Sequence, residues 1–99
     1  MAKYDVFLNP AGPGYLLDVQ ADLLEMLNTR VVVPLMPRVD APKPATRLNP
    51  VFEIEGSEVV MVTQFLASVP RSILNGRVGR LHEEADQITA ALDMLTLGF

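Results

Sequence analysis

Ninety-nine residues leave room for one modest hydrophobic core and no second domain, so residues 1–99 are read as a single unit. Twelve acidic against eight basic residues, the latter scattered, give a net charge of −4 and exclude the basic patch that direct nucleic-acid binding needs. The absence of cysteine excludes disulfides, thiolate metal sites and a thiol nucleophile.

Lys3 to Leu8 alternates imperfectly, with Tyr4, Val6 and Leu8 on one face, and predicts a strand. Asn9-Pro10-Ala11-Gly12-Pro13-Gly14 is dense in turn formers, and Tyr15 to Val19 resumes an extended pattern, so the two form a hairpin with a long loop. Asp22 to Leu27 suits a helical turn as well as a loop. Arg30-Val31-Val32-Val33 is β-branched and predicts a strand bounded by Pro34. Five prolines between Pro34 and Pro50 exclude a helix and disfavour a central strand between Pro37 and Ala45, leaving an extended excursion.

Val51 to Glu55 and Glu58 to Thr63 read as antiparallel strands joined by Gly56-Ser57, where glycine in the first central position suits a type II′ turn. Phe65, Leu66 and Val69 carry the apolar character on to Pro70. The period then changes. Leu81, Ala85, Ile88, Leu92 and Leu95 form one stripe of an α-helix. Glu83, Glu84 and Asp86 sit where the helix dipole favours negative charge, and Gly98 is placed to end the helix. Several short antiparallel strands followed by a C-terminal helix predict a small barrel, whose closure removes exposed edges.

No run of residues is long enough to span a bilayer, and Lys3 and Asp5 stand where a signal peptide would be apolar, so a cytoplasmic protein is expected. A hydrophobic fraction of 49% is high for so short a chain and suggests a subunit interface. Candidates for chemistry are sparse. His82 reads as a surface residue near a helix start, and Ser68 has no partner base that spacing identifies. Asp18 and Asp22 read as turn caps or solvated charges, and Arg71, Arg77 and Arg80 as a solvated connection. No cofactor, no metal ligand set and no catalytic constellation is expected.

The sharpest constellation is Met94, Leu95, Leu97 and Phe99. Periodicity assigns Leu95 to the core. Met94 and Leu97 point elsewhere on the helix, and the apolar end either packs within a fold or dimer or fills a pocket on another protein.

Several strings, in order along nearly the whole chain, resemble the CcdB family of bacterial toxins. They are Asp18-Val19-Gln20 with Asp22, Val33-Pro34-Leu35, Leu48-Asn49-Pro50-Val51, and Met61-Val62-Thr63 leading to Ala67-Ser68-Val69-Pro70 and Ser72-Ile73. Leu81, Ile88, Ala91 and Gly98 fall at family-like spacings, while Met36 to Thr46 does not match well. The resemblance implies a mainly β fold with one C-terminal α-helix, an SH3-like antiparallel barrel with a small accessory sheet. It also implies a homodimer that is not an enzyme, binds the DNA gyrase A subunit and traps gyrase on cleaved DNA. A cognate, CcdA-like antitoxin would neutralise it, with no direct nucleic-acid or membrane contact. Carried over from family contact positions, Leu23, Asp93, Leu97, Gly98 and Phe99 would meet gyrase. The family tip reads Trp-Gly-Ile where this chain has Leu97-Gly98-Phe99, and leucine lacks the π face that stacks on an arginine. A binding module of the same fold with a lost or changed target is therefore the alternative reading.

Overall fold

The computed structural model describes residues 1–99. Seven strands form one antiparallel sheet: β1 (Asp5–Leu8), β2 (Tyr15–Asp18), β3 (Thr29–Pro37), β4 (Val51–Ile54), β5 (Ser57–Met61), β6 (Ala67–Pro70) and β7 (Arg77–Arg80). The order is β4-β5-β3-β2-β1-β7, with β6 paired to β3 beside that path. The sheet curls into a half-barrel and is followed by one helix, α1 (Ala85–Leu97), in keeping with the expected small mainly β barrel. No helix is long and apolar enough to cross a membrane.

The larger core lies between α1 and one face of the sheet. Ile88 and Ala91 of the helix, with Leu81 before it, pack on Val6, Leu17, Val33, Leu35, Phe52, Ile54, Val59 and Met61. A smaller core on the other face joins Phe7, Leu16 and Val32 to Leu74. Both faces of β1 are thus buried, Val6 in the larger core and Phe7 in the smaller. Leu8, grouped by the alternation with Tyr4 and Val6, is exposed at the strand's end.

The nine-residue β3 is the spine of the sheet. It runs through Pro34, where the sequence predicted a boundary. Alternation places the main-chain groups of residue 34 on the edge facing β5 and β6, away from β2. β6 pairs with residues 29–32 and β5 with residues 35–37, so the missing N–H of Pro34 falls where one partner gives way to the other. Its carbonyl still accepts the Val62 N–H at 3.0 Å.

The β4–β5 hairpin forms as expected, with a different turn. Ile54 pairs with Ser57, so the central residues are Glu55 and Gly56, at φ 51° and 81°. Two positive φ values make this a type I′ turn, and the Ile54–Ser57 pairing sets it one residue earlier than the predicted Gly56-Ser57 type II′ turn, which would match the strand twist equally. Glutamate is a poor occupant of a left-handed position, and its hydrogen bond from the Tyr15 hydroxyl is exposed. Glu55→Asn is therefore expected to stabilise the domain by roughly 0.4–1 kcal/mol. An increase in urea midpoint at constant m-value checks it; a decrease contradicts the turn assignment.

Two further expectations are corrected. Arg77 and Arg80 belong to strand β7, where both face the buried Asp5 carboxylate, at 3.6 and 3.2 Å. Leu95, assigned to the core by periodicity, is 39% exposed, because the helix outruns the sheet after Leu92.

Candidate functional site

The far end of α1 carries the exposed apolar surface that the sequence singled out. Ile88 and Ala91 anchor the middle of the helix in the core, so its last turn is held out from the sheet on a buried base. Leu97 and Phe99 are 59% and 73% exposed. Gly98 ends the helix in the left-handed conformation, φ 84°, and its N–H reaches the carbonyls of Asp93 and Met94, each at 3.2 Å. A residue with a Cβ would be strained there, and the turn redirects the chain so that Phe99 leaves the helix axis. The Thr96 hydroxyl donates back to the Leu92 carbonyl one turn earlier, at 2.9 Å.

Asp93 is half-buried and forms no ion pair. The Thr63–Phe65 turn packs against α1, and Phe65 and Leu66 are themselves exposed. The arrangement offers rigidly mounted apolar area with one carboxylate beside it. It suits recognition of a partner's apolar pocket. His82, the one histidine, is exposed at the opposite end of the helical segment.

Leu23, also carried over as a contact position, is 91% exposed in a separate short turn, Asp22–Leu24. That turn is tied to its own surroundings. Asp22 Oδ1 accepts the Lys3 N–H at 2.8 Å, and the Gln20 side chain bridges the Leu24 carbonyl and the Val31 N–H. No hydrogen bond joins it to the tip of α1. Leu24, Met26 and Leu27 extend the exposed apolar character of the same segment.

Sequence reasoning missed a buried charge network on the smaller-core face. Arg30 on β3 and Asp18 on β2 are both inaccessible to solvent and paired through Oδ2, with Arg30 Nε donating at 2.8 Å. Asp18 Oδ1 accepts the Gln20 N–H, so this carboxylate does cap a turn, yet it is fully buried where a solvated charge was the other reading. Burial pushes the Asp18 carboxyl above its usual range, while the Arg30 guanidinium and the Gln20 amide pull it partway back. Arg30 Nη1 has no hydrogen-bond partner despite complete burial. Strand register alone makes this pair, because the two residues lie twelve apart in sequence and no local pattern links them.

A family model described as CcdB protein matches residues 3–98. Among solved structures, the fold is similar to one described as an endoribonuclease in complex with its cognate antitoxin from mycobacterial species. The TM-score is 0.74 at 14% identity, covering 100% of this chain and 96% of that one.

Proposed function

We propose, because this chain belongs to the CcdB family across residues 3–98, that it is the toxin of a toxin–antitoxin pair and poisons DNA gyrase. The observation that carries the reading is the exposed pair Leu97 and Phe99, carried at the end of a helix that Ile88 and Ala91 anchor in the core. The toxin acts as a non-enzymatic homodimer. Its α1 tips, with Asp93 and Gly98, seat on the gyrase A subunit, and Leu23 adds a second contact from its own turn. A ligand that binds the DNA-cleaved state of gyrase more tightly than the others holds the enzyme there, with no chemistry of its own. A protein antitoxin covers the same dimer and releases it from gyrase. The solved relative of similar fold is described as bound to its antitoxin, which supports a partner of that kind.

Leu97 favours a second reading, a toxin of the same fold that has moved to another target, because an aliphatic side chain cannot stack on an arginine as tryptophan does. Purified protein and a Leu97→Trp variant, assayed for gyrase supercoiling and for cleavage complexes, separate the two. Cleavage complexes with the parent protein support gyrase as the target, with Phe99 supplying the aromatic contact. Complexes with Leu97→Trp alone indicate an intact scaffold redirected elsewhere. Silence from both, with RNA cleavage in a parallel assay, overturns the non-enzymatic reading. Light scattering at micromolar concentration tests the dimer, and a monomeric mass contradicts it.

A further inference from the structure

Away from α1, one open cleft of about 620 Å³ lies where the β6–β7 connection meets the entry to β3. Met1 and Pro70 contribute exposed apolar surface to it, the buried Leu74 of the smaller core lies beneath, and Asn28, Arg71, Ser72 and Asn75 supply polar groups. Arg71 is its only charged side chain, and no carboxylate lines it. That is notable in a chain with a net charge of −4.

Arg71 is also held in place. Its backbone N–H donates to the Asn28 carbonyl and its Nη1 to the Glu25 carbonyl, both at 2.8 Å. The remaining guanidinium N–H groups have no partner within the protein. Arg30, Arg38, Arg77 and Arg80 each face a carboxylate, whereas Arg71 and Arg47 face none, and of these two only Arg71 lines the cleft. Beside it the Ser72 hydroxyl and the Asn28 carboxamide make no internal hydrogen bond, and Asn75 uses only one amide N–H, toward the Ser72 carbonyl at 3.3 Å. Two residues past Asn75, β7 begins with Arg77, which shares the single Asp5 carboxylate with Arg80 and leaves surplus positive charge nearby.

We propose that this cleft binds a phosphate-bearing ligand of nucleotide size, a nucleoside monophosphate. A planar guanidinium with free N–H groups, a hydroxyl and a carboxamide present several donors to one anion, which matches the three terminal oxygens of a phosphate better than the two of a carboxylate. Met1 and Pro70, the exposed apolar walls of the cleft, receive the ring, and the second carboxamide can pair with a base edge. The volume lies within the usual range for small-ligand sites. Backbone anchoring of Arg71 lowers the ordering cost of binding.

Amide chemical-shift titration with AMP, adenosine and inorganic phosphate tests the site. AMP is expected to shift the Arg71, Ser72 and Asn75 amides and to bind about tenfold or more tightly than adenosine or phosphate alone, since charge-assisted and ring contacts then act together. Arg71→Gln is expected to weaken AMP by about tenfold, with Arg71→Lys intermediate. Arg71 also braces the Glu25 segment, so Ser72→Ala provides a variant that leaves that brace intact and still weakens AMP. No AMP binding at millimolar concentration, shifts confined to another surface, or unchanged affinity in both Arg71→Gln and Ser72→Ala overturns the proposal. Gyrase takes no part in these measurements, so their outcome is independent of the toxin reading.

Discussion

Arg30→Met is expected to destabilise the domain by about 3–5 kcal/mol at neutral pH, which is the scale of losing one partner from a buried ion pair. Small domains are stable by only about 5–15 kcal/mol, so the variant sits close to unfolding. The lost attraction is the smaller part of the effect. Asp18 remains sealed from solvent with only the Gln20 N–H to stabilise its charge. Without the guanidinium, burial dominates the Asp18 carboxyl and pushes it further above its usual range. The folded variant then holds a proton at pH values where the unfolded chain has released it. Its stability therefore falls as pH rises through that window and recovers as pH falls. Urea unfolding at neutral and mildly acidic pH should show the gap to the parent protein narrowing in acid. Pairing Arg30→Met with Asp18→Leu should restore most of the loss, because removing both charges leaves an apolar site. A single variant within about 1 kcal/mol of the parent at neutral pH contradicts this account.

The network also marks how far the sequence could be read. Local signals identified the β1–β2 and β4–β5 hairpins, the α1 stripe and the Gly98 stop, since each is written in residues a few positions apart. What they could not carry was pairing across the chain. The partner switch at Pro34 depends on β6 arriving beside residues 29–32, which β-branched Val31 to Val33 do not announce. The four residues of β7 include Gly79 and two arginines, and they become a strand because β1 offers an edge and Asp5 a counter-charge. Asp18 read as a turn cap or a solvated charge, and Arg30 only as the first residue of a strand, until β2 and β3 align. The tip was legible because its apolar side chains are contiguous in sequence. Leu95 was misplaced because periodicity tells which face a residue occupies and not where the sheet beneath it ends.

Removal of Leu97, Gly98 and Phe99 is expected to abolish growth inhibition while leaving the protein folded. The folding half of that statement rests on where the helix is anchored. Ile88 and Ala91 are fully buried, Leu92 packs against the same core, and all three lie upstream of the deletion. What is lost locally is the Gly98 cap, whose absence frays the last turn without uncovering the core. The functional half rests on area. Fully burying a leucine or phenylalanine side chain contributes about 1.5–3 kcal/mol each, so two of them in a partner pocket represent a loss of several orders of magnitude in affinity. Such losses concentrate in a few central side chains, so Leu97→Ala and Phe99→Ala should divide unequally, with the larger effect naming the residue that enters the pocket deepest. Growth curves on induced expression, read beside thermal midpoints of the purified proteins, measure both halves together. A truncated protein that melts like the parent and remains fully toxic rules out the tip as the contact and shifts attention to Leu23 and its exposed neighbours. A truncated protein that is harmless yet folded, and that still binds the antitoxin, places the target contact at the tip and the antitoxin contact elsewhere on the fold.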